Sequence, residues 1–474
     1  MDFDNWLETY KKKKHKKYRH FDNPISLIEK RRDLLTNPEE ICRHCFYPLI
    51  KILLRKNRLR KVLPLSSSNN SLKPKVKRDE PNIREILLCS HIDSLIYSYY
   101  AFLLSEKYET YLRKNHILDF PIAYRKLNGK CNIEFSHEAI EHIKNQKNGC
   151  WILLFDFKDF FGSLNHLVLK EKIQRVLNVE RLPRDWFSIY KNITRYSFIA
   201  QEKIFEIKEI PAGERKKALK TSDRWFSPKE FRQLASHINR NSTGIGIPQG
   251  SPISAILSNV YMIDFDQELA EIISRLKGFY RRYSDDFIVV IPKSRVCDSD
   301  DIKNKIISLA ENYDLKIEEH KTRIFYFNGR RIFEKSDNQY KTSILTFLGF
   351  SFNGRSSSIK SGTISRGYNK LLREAKILEK LLDKYEQGLT EEVPPVPNNL
   401  RERILYIENK KKISSGVKVK SYKKKNFITY GYKASKVFNN NEGVFHAMRN
   451  LRNRIGAKLR RYRKRRALAI DSKS

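Results

Sequence analysis

Apolar positions along this chain follow two periods, and the change of period marks its elements. Between about 83 and 149 they recur every three or four residues, with Leu87, Leu88, Ile92, Leu95, Ile96, Tyr99 and Tyr100 as the clearest stripe, so this stretch is predicted to be mainly helical. At Trp151 the pattern becomes a continuous run to Phe155 that ends in Asp156, which reads as a buried strand carrying an acid at its end. A second run of strand formers, Phe279 to Ile291, is interrupted by Ser284-Asp285-Asp286, which predicts a hairpin with the acids at its tip. Between the two lies a Gly-rich turn from Gly244 leading into a helix. There Ser251 suits an N-cap, Pro252 suits the first helical position, and Ile253, Ile256, Leu257, Val260 and Tyr261 form one apolar face.

Outside this centre the punctuation is plainer. Leu371, Ala375, Leu378, Leu382 and Tyr385 predict a helix stopped at Gly388, and Phe445, Met448, Leu451, Ile455 and Leu459 predict a final basic amphipathic helix. Glu391 to Asn399, with Pro394, Pro395 and Pro397, reads as a linker. Ser66 to Ser71 reads as a loop, and about 200–243 as a polar connection, partly helical. No internal repeat is visible.

Charge changes this picture. With 94 Lys and Arg against 54 Asp and Glu, the chain carries +40 and calls for a polyanionic partner bound in a salt-sensitive way. Residues 401–474 hold 23 of the basic residues and only 4 acids. Tyr422, Tyr430 and Tyr462 are interspersed there with Lys423, Lys424, Lys425, Arg460, Arg461 and Arg463, a mixture suited to stacking bases while tracking phosphates. The same pattern also describes a small helical domain with packed rings and a solvated basic face, and a blend of the two is expected. No apolar run approaches a membrane span, and the Met1-Asp2-Phe3-Asp4 start is unlike a secretory signal, so a cytoplasmic protein with no membrane partner is expected. The 6 cysteines are scattered, which suits reduced thiols, and Cys42 and Cys45 have no second pair to close a zinc site.

The acids carry the candidate chemistry. Adjacent carboxylates at a strand end repel each other unless a cation lies between them. Alone, Asp285-Asp286 describes an ordinary acidic turn. Joined by Asp156 from another strand, the set suits a two-metal clamp for in-line phosphoryl displacement.

Three ordered motifs within residues 156–286 resemble the palm of a reverse transcriptase. Phe155 to Ser163 is similar to the first acidic motif, Ile247-Pro248-Gln249-Gly250-Ser251-Pro252 to the template-and-nucleotide motif, and Tyr283-Ser284-Asp285-Asp286 to the YxDD box. Leu315 to Arg323 resembles the lysine-bearing motif that follows, and Phe347-Leu348-Gly349-Phe350 the primer grip. The resemblance runs over roughly residues 75–360.

It implies specific roles. Asp156, Asp285 and Asp286 would bind two Mg2+ ions, with Mn2+ as a substitute and the Phe157 carbonyl as a further ligand. Lys321 would protonate departing pyrophosphate. Phe161, beside Asp159 and Phe160, would exclude a ribose 2'-hydroxyl, although Phe160 and Phe161 also read as core aromatics. Gln249 and Gly250 would order the incoming dNTP. Lys73 to Ile86 resembles the basic fingers hairpin, so Lys77, Arg78 and Arg84, with Arg125 as a further candidate, would neutralise the triphosphate.

The resemblance implies an α+β, right-hand polymerase fold with fingers, a palm on an antiparallel sheet, a helical thumb and a basic helical C-terminal region. The expected divisions are a helical basic region at 1–65, fingers at 66–150, palm at 151–350 with an insertion at about 200–243, thumb at 351–390, and a nucleic-acid-binding region at 400–474. Residues 351–474 show neither the spaced acids of an RNase H domain nor a nuclease cluster, and the retron signatures Asn-Ala-x-x-His and Val-Thr-Gly are absent. The chain is most similar to the bacterial defence-associated and abortive-infection reverse transcriptases. That likeness implies an RNA template, expected to be a structured non-coding RNA, a DNA product and dNTPs as partners. Retron-like, intron-like, untemplated or protein-primed synthesis stays open, as do an RNA-binding scaffold and a homo-oligomer.

Overall fold

Residues 150–155 and 287–291 are apolar without interruption because they run through the middle of a sheet covered on both faces. Trp151, Leu153, Phe155, Phe287, Val289 and Ile291 pack into one core, while Cys150, Ile152, Ile288 and Val290 pack into another. The two-residue alternation of a strand thus divides one hydrophobic run between two cores. In this computed structural model the described residues are 2–12, 17–56, 59–62, 75–78, 82–221, 223–296, 298–336, 339–390, 427–439 and 442–471.

The central sheet has six strands in the order Gln339–Thr342, Ile332–Ser336, Arg323–Phe327, Cys150–Asp156, Asp286–Pro292 and Phe279–Tyr283. Every neighbouring pair in it is antiparallel. On one face lie the helices His91–Lys114, Ser254–Tyr261 and Ile263–Arg275. On the other lie the helix Asn132–Asn145 and the small sheet of Leu345–Phe347, Phe350–Phe352 and Ser357–Ile359.

A second sheet orders Asn82–Leu88, Leu49–Lys56, Ser197–Ala200 and Asn239–Arg240. Leu87 and Leu88 therefore sit in a strand, not in the first helical turn that their spacing suggests. The helix begins at His91, where Ser90 Oγ accepts from the Asp93 amide and the Asp22 carboxylate accepts from the His91 and Ile92 amides. That cap fixes the helix start, and pairing of Leu87 and Leu88 with Lys51 and Ile50 holds the residues upstream in the strand. The Gly-rich turn also runs longer than expected, since its helix starts at Ser254 and Ser251 makes no capping bond.

The predicted thumb helix is two helices, Ser361–Leu371 and Arg373–Glu386, with Gly388 following at φ +74°. The final helix, Glu442–Asp471, is anchored by Val444, Met448, Leu451, Ile455 and Leu459, all buried in one cluster with Phe350 and Phe352. It shares the core behind the palm and leaves Arg460, Arg461 and Arg463 exposed. Lys423, Lys424, Lys425, the linker at 391–399 and the loop at 66–71 lie outside the described residues. Among the described residues no helix is long and apolar enough to cross a membrane.

Candidate active site

Strand pairing brings the separated acids together. Asp156 stands directly opposite Asp286 across the antiparallel pair, and the Phe157 amide donates to the Asp285 carbonyl at 3.0 Å. Ser284 takes φ +62°, the left-handed residue that turns the chain between Phe279–Tyr283 and Asp286–Pro292. Asp286 lies at the exposed end of its strand, yet its carboxyl is crowded. Desolvation first, then the charges of Asp285 and Asp156, push it up to about 7, while Lys321 pulls the other way.

A buried arginine fixes this hairpin. Arg282 is fully buried and donates through Nε and Nη2 to the Asp266 carboxylate at 2.7 and 2.6 Å. Its Nη1 reaches Asn259 Oδ1 at 3.2 Å and the Ser284 carbonyl at 3.1 Å. Tyr280 adds a hydroxyl bond to Asp266 at 2.6 Å, and the Asn259 amide donates to the Ala123 carbonyl. Tyr124 Oη lies 3.0 Å from Ser284 Oγ. Desolvation opposes the charge on Arg282, but the Asp266 carboxylate prevails and raises its pKa. None of the sequence motifs points to this network. Its signal is an arginine two residues from Tyr280 on the inward strand face, together with Asp266 amid the apolar residues Ile263, Phe265 and Leu269 of the next helix.

The segment after the hairpin is clipped onto the first acid. The Glu318 amide donates to the Asp156 carbonyl and the Lys158 amide to the Lys316 carbonyl, each at 2.8 Å. This places Lys321 Nζ 2.7 Å from Asp156 Oδ1, at the acid cluster as its motif suggests. Among the described residues no three His, Cys, Asp or Glu side chains already converge as a metal cage. The donor chemistry nonetheless suits a hard divalent cation, because Asp156 and Asp286 are cross-strand partners with Asp285 next in the chain, and desolvation followed by the charges of Asp285 and Asp156 raises the Asp286 carboxyl.

The other expected residues fall into distinct places. Phe160 is buried, its ring 5.6 Å from that of Phe157, whereas Phe161 is half-buried and holds the Gly-rich turn through its carbonyl, which accepts from the Ile247 amide at 2.8 Å. Asp159 is exposed at φ +43° ahead of the short helix Phe160–Ser163. The Gln249 carbonyl accepts from the Leu87 amide at 2.9 Å, joining the turn to the strand that carries the exposed Arg84. Gly250, at φ +127°, has no room for a side chain, since a Cβ would lie 2.7 Å from the Leu87 carbonyl oxygen. Lys77 and Arg78 fall on the strand Lys75–Arg78, which pairs with Leu59–Val62 as a two-stranded hairpin. Arg125 is not brought to the cluster. Its guanidinium is buried, binds Glu109 with two nitrogens and donates to the Leu118 and Pro121 carbonyls, so burial and saturation remove it from triphosphate binding.

Residues 77–352 match the family model described as reverse transcriptase (RNA-dependent DNA polymerase). The chain belongs to that family, and its fold is the α+β right-hand polymerase fold. A solved telomerase from Candida albicans, in complex with a TWJ fragment of telomeric RNA, aligns at 14% identity and TM-score 0.39, covering 94% of this chain and 59% of that one. Apo telomerase from Candida tropicalis, truncated from its C-terminal domain, aligns at 14% identity and TM-score 0.34, covering 64% of this chain and 57% of that one. The chain thus spans somewhat more than half the length of these structures. A search of the curated proteins found no match.

Proposed function

We propose that the protein is an RNA-directed DNA polymerase that copies a bound, structured non-coding RNA, acting in bacterial anti-phage defence. One observation carries the catalytic part of this reading: Asp156 and Asp286 are cross-strand partners, with Asp285 bonded to the residue after Asp156. A scaffold has no need to gather acids where desolvation first, and their mutual repulsion second, raises a carboxyl to about 7.

Asp156, Asp285 and Asp286 would hold two divalent ions, Mg2+ or Mn2+, with the Phe157 carbonyl as a further ligand. When bound, such ions activate a primer hydroxyl and stabilise departing pyrophosphate. Lys321, on the rim beside Asp156, supplies positive charge and a proton to the pyrophosphate. Gln249, Gly250 and Asp159 shape the floor under an incoming dNTP, Phe161 limits its sugar, and Arg84 with Lys77 and Arg78 offers charge to its triphosphate. The defence role rests on resemblance of the motifs and of the basic helical end to that group.

Primer extension by the purified chain with an RNA template, dNTPs and magnesium tests the reaction. Product from the native chain and none from Asp285→Ala with Asp286→Ala is expected; RNA binding without product from either would leave a scaffold. Sequencing the nucleic acid that copurifies from cells tests the template. One enriched RNA species is expected, and a random mixture would remove the dedicated template.

A further inference from the structure

Away from the acids, the N-terminal segment and the insertion at 200–243 enclose a groove of about 830 Å³. Phe21 comes from the first and Phe226 and Phe231 from the second, with Tyr47 between them. Phe21 and Phe226 are buried in the small core beneath the groove, their rings near-parallel at 6.1 Å, and Tyr47 and Phe231 are half-buried against that core. Arg224, Arg232 and Arg240 stand exposed along the same walls. A second hollow of about 710 Å³ shares Phe21, Tyr47 and Arg224 and adds Lys30 and Arg31.

The walls are held rigidly. The Trp225 amide and indole donate to the His20 and Arg19 carbonyls at 2.8 and 3.1 Å, fastening the insertion to the N-terminal segment. The Tyr47 amide donates to the buried Asp93 carboxylate at 2.9 Å. The charge is equally deliberate. No acid is among the described residues lining the first groove, and no described acid pairs with Arg224, Arg232 or Arg240. The nearby Glu230 is occupied by Lys208 at 2.7 Å, and Asp22 by two backbone amides.

We propose that this groove binds a single-stranded polynucleotide, its bases against the half-buried rings of Tyr47 and Phe231 and its phosphates against the arginines. Flat rings with unpaired guanidiniums recognise what every single strand presents, a π-face and a phosphate. None of the residues lining it belongs to the acid cluster, whose strands lie in the other sheet. Arg240 ends the edge strand of the four-stranded sheet, and the Gln249 turn joins the opposite edge strand through Leu87, three interstrand steps of about 4.8 Å away. The groove goes beyond the polymerase reading, because it would bind a strand whether or not synthesis occurs.

Fluorescence anisotropy with a short unstructured RNA, and with DNA of the same sequence, tests the site on the full chain without dNTPs. Arg232→Glu with Arg240→Glu is expected to weaken binding at least about tenfold and to flatten the salt dependence by ~0.7 in log-log slope for each lost phosphate contact. Lys107→Glu with Lys114→Glu, exposed on the helix His91–Lys114, makes the same change in net charge and is expected to shift binding less than about twofold. Equal losses in both pairs, or none in the first, would overturn the site. Photocrosslinking with thio-substituted RNA and DNA should label peptides containing Tyr47 or Phe231, and label on neither peptide would also overturn it. Loss on RNA alone or on DNA alone supports the groove and names its strand. A chain that makes no DNA yet shows these losses would sink the proposed reaction and leave the groove standing.

Discussion

Arg282 and Asp266 form a two-pronged ion pair from which water is wholly excluded, and the arginine's remaining nitrogen holds the carbonyl of Ser284, the residue that turns the chain toward Asp285. The pair is thus the internal brace of the hairpin that presents two of the three acids. A buried charge left without its partner is far more costly than the pair itself.

Arg282→Met or Asp266→Leu alone is expected to destabilise the chain by about 3–5 kcal/mol. The double replacement should recover most of that loss, since two apolar side chains of similar volume strand no charge. DNA synthesis should not recover with it, because nothing then holds the Ser284 carbonyl. Chemical denaturation and primer extension on the same variants separate the effects. Full activity in the refolded double variant would show that the turn holds itself.

Much of this centre was legible in the chain. The run Trp151–Phe155 and the broken run through Asp285-Asp286 each announce a strand with a terminal acid, and the two strands are neighbours in the sheet. The Phe160 and Phe161 ambiguity resolves by position, the first ring entering the core and the second standing at its margin. What could not be read were partners distant in sequence. Arg125 looks like any basic residue near a nucleotide motif until Glu109, one helix away, is found against it. Leu87 and Leu88 follow helical spacing, but pairing with Lys51 and Ile50 makes them a strand, a case of tertiary context overriding local pattern.

Phe161 stands apart from its neighbour by being only half-buried, with its backbone tied to the Gly-rich turn at Ile247. Phe161→Ala keeps that backbone bond and removes only bulk. Ribonucleotide incorporation relative to deoxynucleotide should rise about 10- to 100-fold, as for a hydrophobic pocket relieved of one steric element. Single-nucleotide extension with matched dNTP and rNTP measures it. Unchanged discrimination would place the sugar elsewhere.

Removal of the final helix is a poor probe of nucleic-acid binding, because its buried face belongs to the core behind the palm. Its exposed arginines are a better one. Arg460→Gln with Arg461→Gln and Arg463→Gln should leave the thermal midpoint within a few degrees and weaken RNA binding, with a shallower dependence on salt. Affinity equal to the native chain at every salt concentration would move the RNA surface off this helix.

Asp286 offers a test in pH. The folded chain holds its proton up to about 7, above the ordinary carboxylate range of the unfolded chain, so folding takes up a proton within that window. Without divalent metal, stability should therefore fall as pH rises from about 4 to 7, as the carboxyl is forced to ionise beside Asp285 and Asp156. Magnesium favours the ionised form, so the rise in thermal midpoint that it produces should grow across the same window and level off above it. Asp286→Asn should flatten both trends. Lys321→Met should move both to higher pH, because the ammonium beside Asp156 opposes the upward shift. Midpoints measured in chelator and in magnesium at several pH values read these outcomes directly. A magnesium effect independent of pH in the native chain would mean that Asp286 is already ionised before any cation arrives, and that the acids are not competing for one.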